Sequence, residues 1–592
     1  MAFLLLLFTV NSGLMRDDYL HRALLTGSET FPGIQEPAYS LPKTSSQLFS
    51  FFTEDNQLVA RLKAYGSIPW WTDDELKVSF WRPVAAMTHW LDYQLWPDKP
   101  WVMHLHSLLW YVLVGCLLGA WLLQLGVERL ALALVMLFYM LDASHVHAIT
   151  WLANRNILIA TALGLLSMMA LTRNAQNHRP GYLLVSLLAF FLTLLSAEAG
   201  ISFFGIVIAL LVVLDHRSIA RRIGIGMAFL GVIALWRCVY NAMGYGAIHS
   251  GFYVDPILDT GNFLKTLFLN GPIMLYEQLV RVPSLSMLMA PQVEFQQATI
   301  SLLVLLISMA VFSPLLVKNR LATFGFFAAV MALPPACATI VSGGRLMFVF
   351  GLGISLVLGL WFAGIKQNAD WFRQPKWYRG IAWIWSGILL VAIVLGTGAV
   401  WGTKIVSSVS GSKPAFNELT DVVRHVEDDQ TLVVLNPPVL FDQMYMPLKA
   451  GYFDLPVPDS MISLVPGYTG FTVKLEDERT LLLENEQGFL IANTAEWYQP
   501  DAPQSHLVYL ASRADRFFVS NHNMPDYQGS HNTRAAQIRV LAVNPQGDPT
   551  RIRFRFAKPL FGPDTVVLIW DWEQNRFVQV HELKDKYIQG PF

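Results

Sequence analysis

The chain has 592 residues, of which 54% are hydrophobic and 14% charged, against about 25% charged in an ordinary soluble domain. That composition, with a mean hydropathy of +0.41, excludes a purely soluble globule and indicates a polytopic membrane protein. A net charge of −1 gives no basis for nucleic-acid binding. The three cysteines, Cys116, Cys238 and Cys337, fall in or beside apolar runs and offer neither metal spacing nor a disulfide framework.

The start Met1–Val10 lacks a basic leader and a clear cleavage site, so it reads as a short or truncated first span rather than a secretory signal. Asp17 and Asp18 follow that run directly. The segment 15–102 reads as a long loop carrying Trp70, Trp71, Trp81, Trp90 and Trp96, with an amphipathic interfacial helix expected over 80–96. Runs of spanning character follow near 103–125, 130–141, 149–171, 181–197, 200–214, 223–240, 298–317, 321–341, 346–365 and 381–401. With the first run they predict about eleven transmembrane helices. The segment 264–290, interrupted by Gly271, Pro272 and Pro283, reads as a re-entrant or interfacial helix.

Orientation follows from the basic residues of the short loops. Arg173 and Arg179, then Arg217, Arg221 and Arg222, then Lys318 and Arg320, then Lys366 to Arg379 share one side when 264–290 stays outside. That side is cytoplasmic. The loop 15–102, the segment 241–297 and the tail are then non-cytoplasmic. The expected division is a membrane domain over 1–401 and a soluble domain over 402–592. β-like runs at 431–436, 506–511, 537–543, 551–556 and 565–570, with a helical lead at 416–427, predict an α/β or β-rich tail.

A charged side chain near hydrocarbon costs roughly 2.5–3.5 kcal/mol on insertion scales, so a one-sided collection of such groups calls for a reason. Asp17 and Asp18 either solvate a helix end or supply a general base. Arg82 either snorkels to headgroups or pairs with a phosphate. Asp142, His145 and His147 form a short polar loop whose residue types suit a divalent metal, a substrate contact or plain solvation. Arg155 follows within a spanning run. Glu198 lies in the tight connection Ser196–Gly200 and fits either an ion pair with Arg155 or a sugar hydroxyl. Arg345 opens a late span, where an anionic lipid phosphate could dock or the side chain could anchor at the interface.

In this order the motifs resemble membrane glycosyltransferases of the GT-C fold, in the lineage of the tetratricopeptide-bearing O-mannosyltransferases and their bacterial relatives. Asp142–Arg155 reads Asp-Ala-Ser-His-Val-His-Ala-Ile-Thr-Trp-Leu-Ala-Asn-Arg where the family reads His-Pro-x-His-x-Glu-x-Val-x-Trp-x-x-x-Arg. Ala197-Glu198-Ala199-Gly200 stands for Lys-Glu-x-Gly, and Gly344-Arg345-Leu346-Met347-Phe348 for Glu-Arg-Tyr-Leu-Tyr. The Lys before Glu198 and the Glu before Arg345 are absent, and the tail has no tetratricopeptide period. The resemblance implies a polyprenyl-phosphate sugar donor, an inverting transfer with or without a metal, and a glycan, lipid or protein acceptor. It also implies Asp17 or Asp18 as base, a site in the bacterial inner membrane facing the periplasm, and phosphate contacts from Arg82, Arg155 or Arg345. The rival readings are a flippase for lipid-linked saccharides and a non-catalytic assembly protein.

Overall fold

The structure is a computed structural model that describes residues 6–53, 57–281, 294–340, 343–410, 423, 426–441, 443–468, 470–490, 512–519, 529–583 and 586–590. The expected strand 506–511 and most of the helical lead 416–427 lie outside these residues. The chain is mostly helical at first and β-rich at its end.

Among the described residues, six helices are long and apolar enough to cross a membrane: Pro100–Gln124, Leu152–Asn177, Ile219–Ala242, Phe295–Lys318, Arg320–Cys337 and Lys376–Gly402. A seventh unit is Arg129–Met140 joined to Ala143–Thr150 across a bend of 46°. Pro180–Leu194, Glu198–Leu214 and Gly351–Lys366 are apolar but shorter. The expectation of about eleven spans therefore differs from the structure at particular places. The run 130–141 and the start of 149–171 form one bent unit, because Asp142 caps a new turn by accepting the Ser144 N–H at 2.9 Å. The first run, where described, is only the short 3-10 turn Leu7–Asn11. The segment 264–290 contributes a helix, Thr260–Val280, with Pro272 inside it.

Local chemistry marks several boundaries. Proline sits in the first turn of Pro83–Leu95, Pro100–Gln124 and Pro180–Leu194, where its missing N–H costs nothing. Asn319 starts Arg320–Ala332 by accepting the Leu321 and Ala322 N–H groups. Within the bundle the helices approach closely: a Cβ on Gly353 would lie 2.2 Å from the Gly325 carbonyl oxygen.

The tail holds two sheets. A six-stranded antiparallel sheet runs in the order Gly529–Asn532, Ala536–Val543, Pro549–Phe556, Thr480–Glu484, Phe471–Asp477, Lys586–Ile588. A four-stranded sheet orders Arg576–Gln579, Thr565–Asp571, Thr431–Val434, Ser460–Ser463, the last three mutually parallel. Thr431–Val434 and Ser460–Ser463 are buried throughout, as parallel strands covered on both faces must be.

Loop and tail share one apolar core, in which Phe49, Phe52, Trp70 and Trp71 pack with Val433, Leu464, Phe518 and Phe554. Backbone seams reinforce it. The Trp70 indole donates to the Leu464 carbonyl at 3.0 Å, and the Arg534 N–H to the Ala64 carbonyl at 2.7 Å. Gly66, at φ 97°, lies so close to Met461 that any Cβ would overlap its carbonyl.

Candidate functional site

Asp17 and Asp18 open the helix Asp17–Thr26, where carboxylates favour the N-terminal end of the helix dipole. Arg16 precedes them at φ 43°, a conformation that costs a non-glycine residue energy and is usual only where the surroundings enforce it. The two acids have different surroundings. Asp18 is 1% exposed, and its two oxygens accept the Met15 N–H at 3.0 Å and the Ala153 N–H at 2.8 Å. It clamps the loop to the bundle. Burial pushes its carboxyl up to about 8, against those N–H bonds.

Asp17 is half-buried and accepts a hydrogen bond from the Tyr445 phenol, a residue of the tail. Burial raises its carboxyl above the usual range, while the Tyr445 bond and the charges of Arg345, Arg16 and Arg82 pull the other way. Arg345 stands in the turn Gly344–Met347, donates to the Asn154 side-chain oxygen and lies 5.2 Å over the Trp151 ring. Arg16 lies over the same ring at 5.9 Å and over Phe441 at 5.4 Å. Arg82, just before Pro83–Leu95, covers Phe80 at 4.4 Å. It also grips one Glu198 oxygen with two nitrogens, at 2.7 and 2.6 Å. The other Glu198 oxygen is buried with no hydrogen-bond partner among the described residues, as is the Trp151 indole N–H. Three guanidinium groups thus stand around Asp17 and Glu198, while burial keeps the neighbouring Asp18 protonated, an arrangement suited to an added anion.

The structure brings Asp17, Arg82, Glu198 and Arg345 together. It sets His147, which is exposed, beside Gly344 and hence next to Arg345. It turns Asp18, Asp142, His145 and Arg155 into the protein. The expected Glu198–Arg155 pair is corrected to Glu198–Arg82. Arg155 is 0% exposed and bound to Asp92 at 2.5 Å, to the Ser107 hydroxyl at 2.9 Å and to the Met103 carbonyl at 2.8 Å.

The metal reading of Asp142, His145 and His147 is corrected as well. Asp142 pairs with Arg281 and accepts from Gln278 at 2.9 Å, while the His145 Nδ1 faces the Tyr111 hydroxyl at 3.0 Å. Among the described residues no group of three or more His, Cys, Asp or Glu side chains is placed to hold a metal ion.

Sequence reasoning missed Arg16, Asp92, Phe441 and Tyr445. Arg16 was signalled only by its position beside the acidic pair, and Tyr445 by nothing local, since it arrives from the tail.

No protein-family model matches the chain, and no curated protein matches it in sequence. Among solved structures, the crystal structure of ArnT from Cupriavidus metallidurans bound to undecaprenyl phosphate is similar. The likeness covers 78% of this chain and 88% of that one, at 12% identity and a TM-score of 0.34. At that TM-score the overlap is loose, and the functional reading rests on the side chains.

Proposed function

We propose that this chain is an integral membrane glycosyltransferase. It moves a sugar from a polyprenyl-phosphate-linked donor to an acceptor hydroxyl on the non-cytoplasmic side of the membrane. The carrying observation is the group of cations beside Asp17: Arg16 and Arg345 lie over one Trp151 ring at 5.9 and 5.2 Å, Arg82 holds Glu198, and all three charges act on the Asp17 carboxyl. A glycosyl transfer of this kind needs a base for the acceptor and cations for the departing phosphate, within one sugar ring of each other. Asp17 takes the proton as the acceptor oxygen attacks the anomeric carbon. The bond from that carbon to the phosphate oxygen breaks, and the phosphate leaves with the electron pair onto Arg345 and its neighbours. A single displacement inverts the anomeric centre. Asp17 rather than Asp18 suits the base, because both Asp18 oxygens are engaged by backbone N–H groups. The unpaired Glu198 oxygen and Trp151 indole N–H suit sugar hydroxyls.

The test is transfer by the purified protein from polyprenyl-phosphate sugars. Asp17→Asn keeps the shape and removes the base, so transfer falls about 10²–10⁴-fold while donor binding persists. Arg345→Ala weakens donor binding instead. Full turnover by Asp17→Asn overturns the base assignment. Movement of intact lipid-linked saccharide across vesicles, without transfer, would establish a flippase in its place.

A further inference from the structure

We propose that Tyr445 is the positioning residue of the base, so that Asp17 is aimed at the acceptor only when the tail is docked on the membrane-proximal loop. The proposal rests on the reading of Asp17 as that base. A carboxylate has two oxygens, and a working base needs one of them open and correctly turned. Tyr445 donates its phenol to one, Oδ1. The phenol is itself rigidly held. It is 4% exposed and ends the turn Gln443–Tyr445, whose Gln443 side chain donates to the Gly66 carbonyl at 3.3 Å. The following helix Met446–Tyr452 lies on the base's own helix: the Tyr452 ring meets Tyr19 at 5.5 Å, and Arg22 lies 5.1 Å over Tyr452. Tail and loop therefore carry the two partners as one packed unit, which is what fixes a catalytic side chain to one rotamer.

The other charged and titratable groups around Asp17 are Arg16 and Asp18 on its own segment, Arg82, Arg345 and Tyr253. Tyr445 is the hydrogen-bond donor that favours its ionised form directly. Burial holds the phenol protonated far above its ordinary range, so it stays a donor.

The test is the titration of Asp17 in the full-length protein, followed by infrared difference spectroscopy and assigned by the band lost in Asp17→Asn. Tyr445→Phe keeps the ring and removes the donor. The Asp17 midpoint then rises by about one to two pH units. The acid limb of kcat moves by the same amount, and donor KM stays unchanged. Difluorotyrosine at position 445, a stronger donor of nearly the same size, moves the midpoint down and serves if Tyr445→Phe does not fold. An unmoved midpoint in both overturns the proposal. A shifted midpoint in a protein with no transfer activity upholds the Tyr445–Asp17 pairing and overturns the glycosyltransferase reading.

Discussion

At the scale of single residues, two adjacent carboxylates of the same chemistry are separated by what they touch. Asp18 is closed off by backbone donors, and Asp17 is shared between a phenol and three cations. The difference has a consequence for stability. Burial pushes the folded Asp18 carboxyl up to about 8, well above the usual carboxylate range, so the folded state holds its proton more tightly than the unfolded chain does. Its contribution is fully present below the unfolded value and is lost as pH rises through the folded one. Unfolding temperature therefore falls from pH 5 to pH 8 in the wild type. Asp18→Asn, which cannot ionise, flattens that fall. A variant curve parallel to the wild type would remove Asp18 as its source. Asp17, Asp18, Arg82, Glu198 and Arg345 stood out from sequence because charge beside apolar runs is conspicuous. Which of them share a site is a matter of side-chain direction, and a linear pattern carries none.

At the scale of elements, the buried ion pair between Arg155 and Asp92 ties the helix Leu152–Asn177 to Pro83–Leu95, with His106 on the second Asp92 oxygen at 2.7 Å. Truncation of one partner leaves an uncompensated buried charge. Asp92→Ala is therefore expected to cost about 3–5 kcal/mol, read as a lowered unfolding temperature in detergent, with Arg155→Met in the same background restoring part of it. The helix Pro83–Leu95 has a second face. Met87, Leu91 and Leu95 are 48%, 44% and 58% exposed at a spacing of four, while Ala85, Ala86, His89 and Asp92 are buried. This is the amphipathic helix that the pattern over 80–96 predicts. Nitroxide labels at 87 and 91 should be relaxed more by oxygen than by a water-soluble nickel complex, and a label at the exposed Glu573 of the tail the reverse. Equal accessibility at all three would remove the helix from the membrane interface. Metal ligation by Asp142, His145 and His147 failed at this same scale. The residue types fit, but the bend after Met140 turns two of them inward and one outward.

At the scale of the whole molecule, the tail and the loop 15–102 do not hold separate cores. Trp70 is 2% exposed, and its ring and indole N–H both reach tail residues. Trp70→Ala should cost about 3–5 kcal/mol and lower the unfolding of loop and tail together, as one calorimetric transition. Two resolved transitions, with only the loop affected, would make the tail an independent unit. Because Tyr445 and Phe441 arrive from the tail, the same coupling extends to the site.

Composition and periodicity alone determined that this is a membrane protein with long apolar helices, a helix within 80–96 and a β-rich end, since hydrophobic spacing is a local property written along the chain. Four of the five β-like runs fall on observed strands: Thr431–Val434, Ala536–Val543, Pro549–Phe556 and Thr565–Asp571. The fifth, 506–511, lies outside the described residues. The tertiary structure alone decided that Glu198 meets Arg82, that Arg155 is spent on Asp92, and that a tyrosine 428 positions away touches Asp17. Those pairings join residues far apart in the chain. Their partners are selected by packing and by the cost of leaving a buried charge unpaired, neither of which leaves a periodic trace in the sequence.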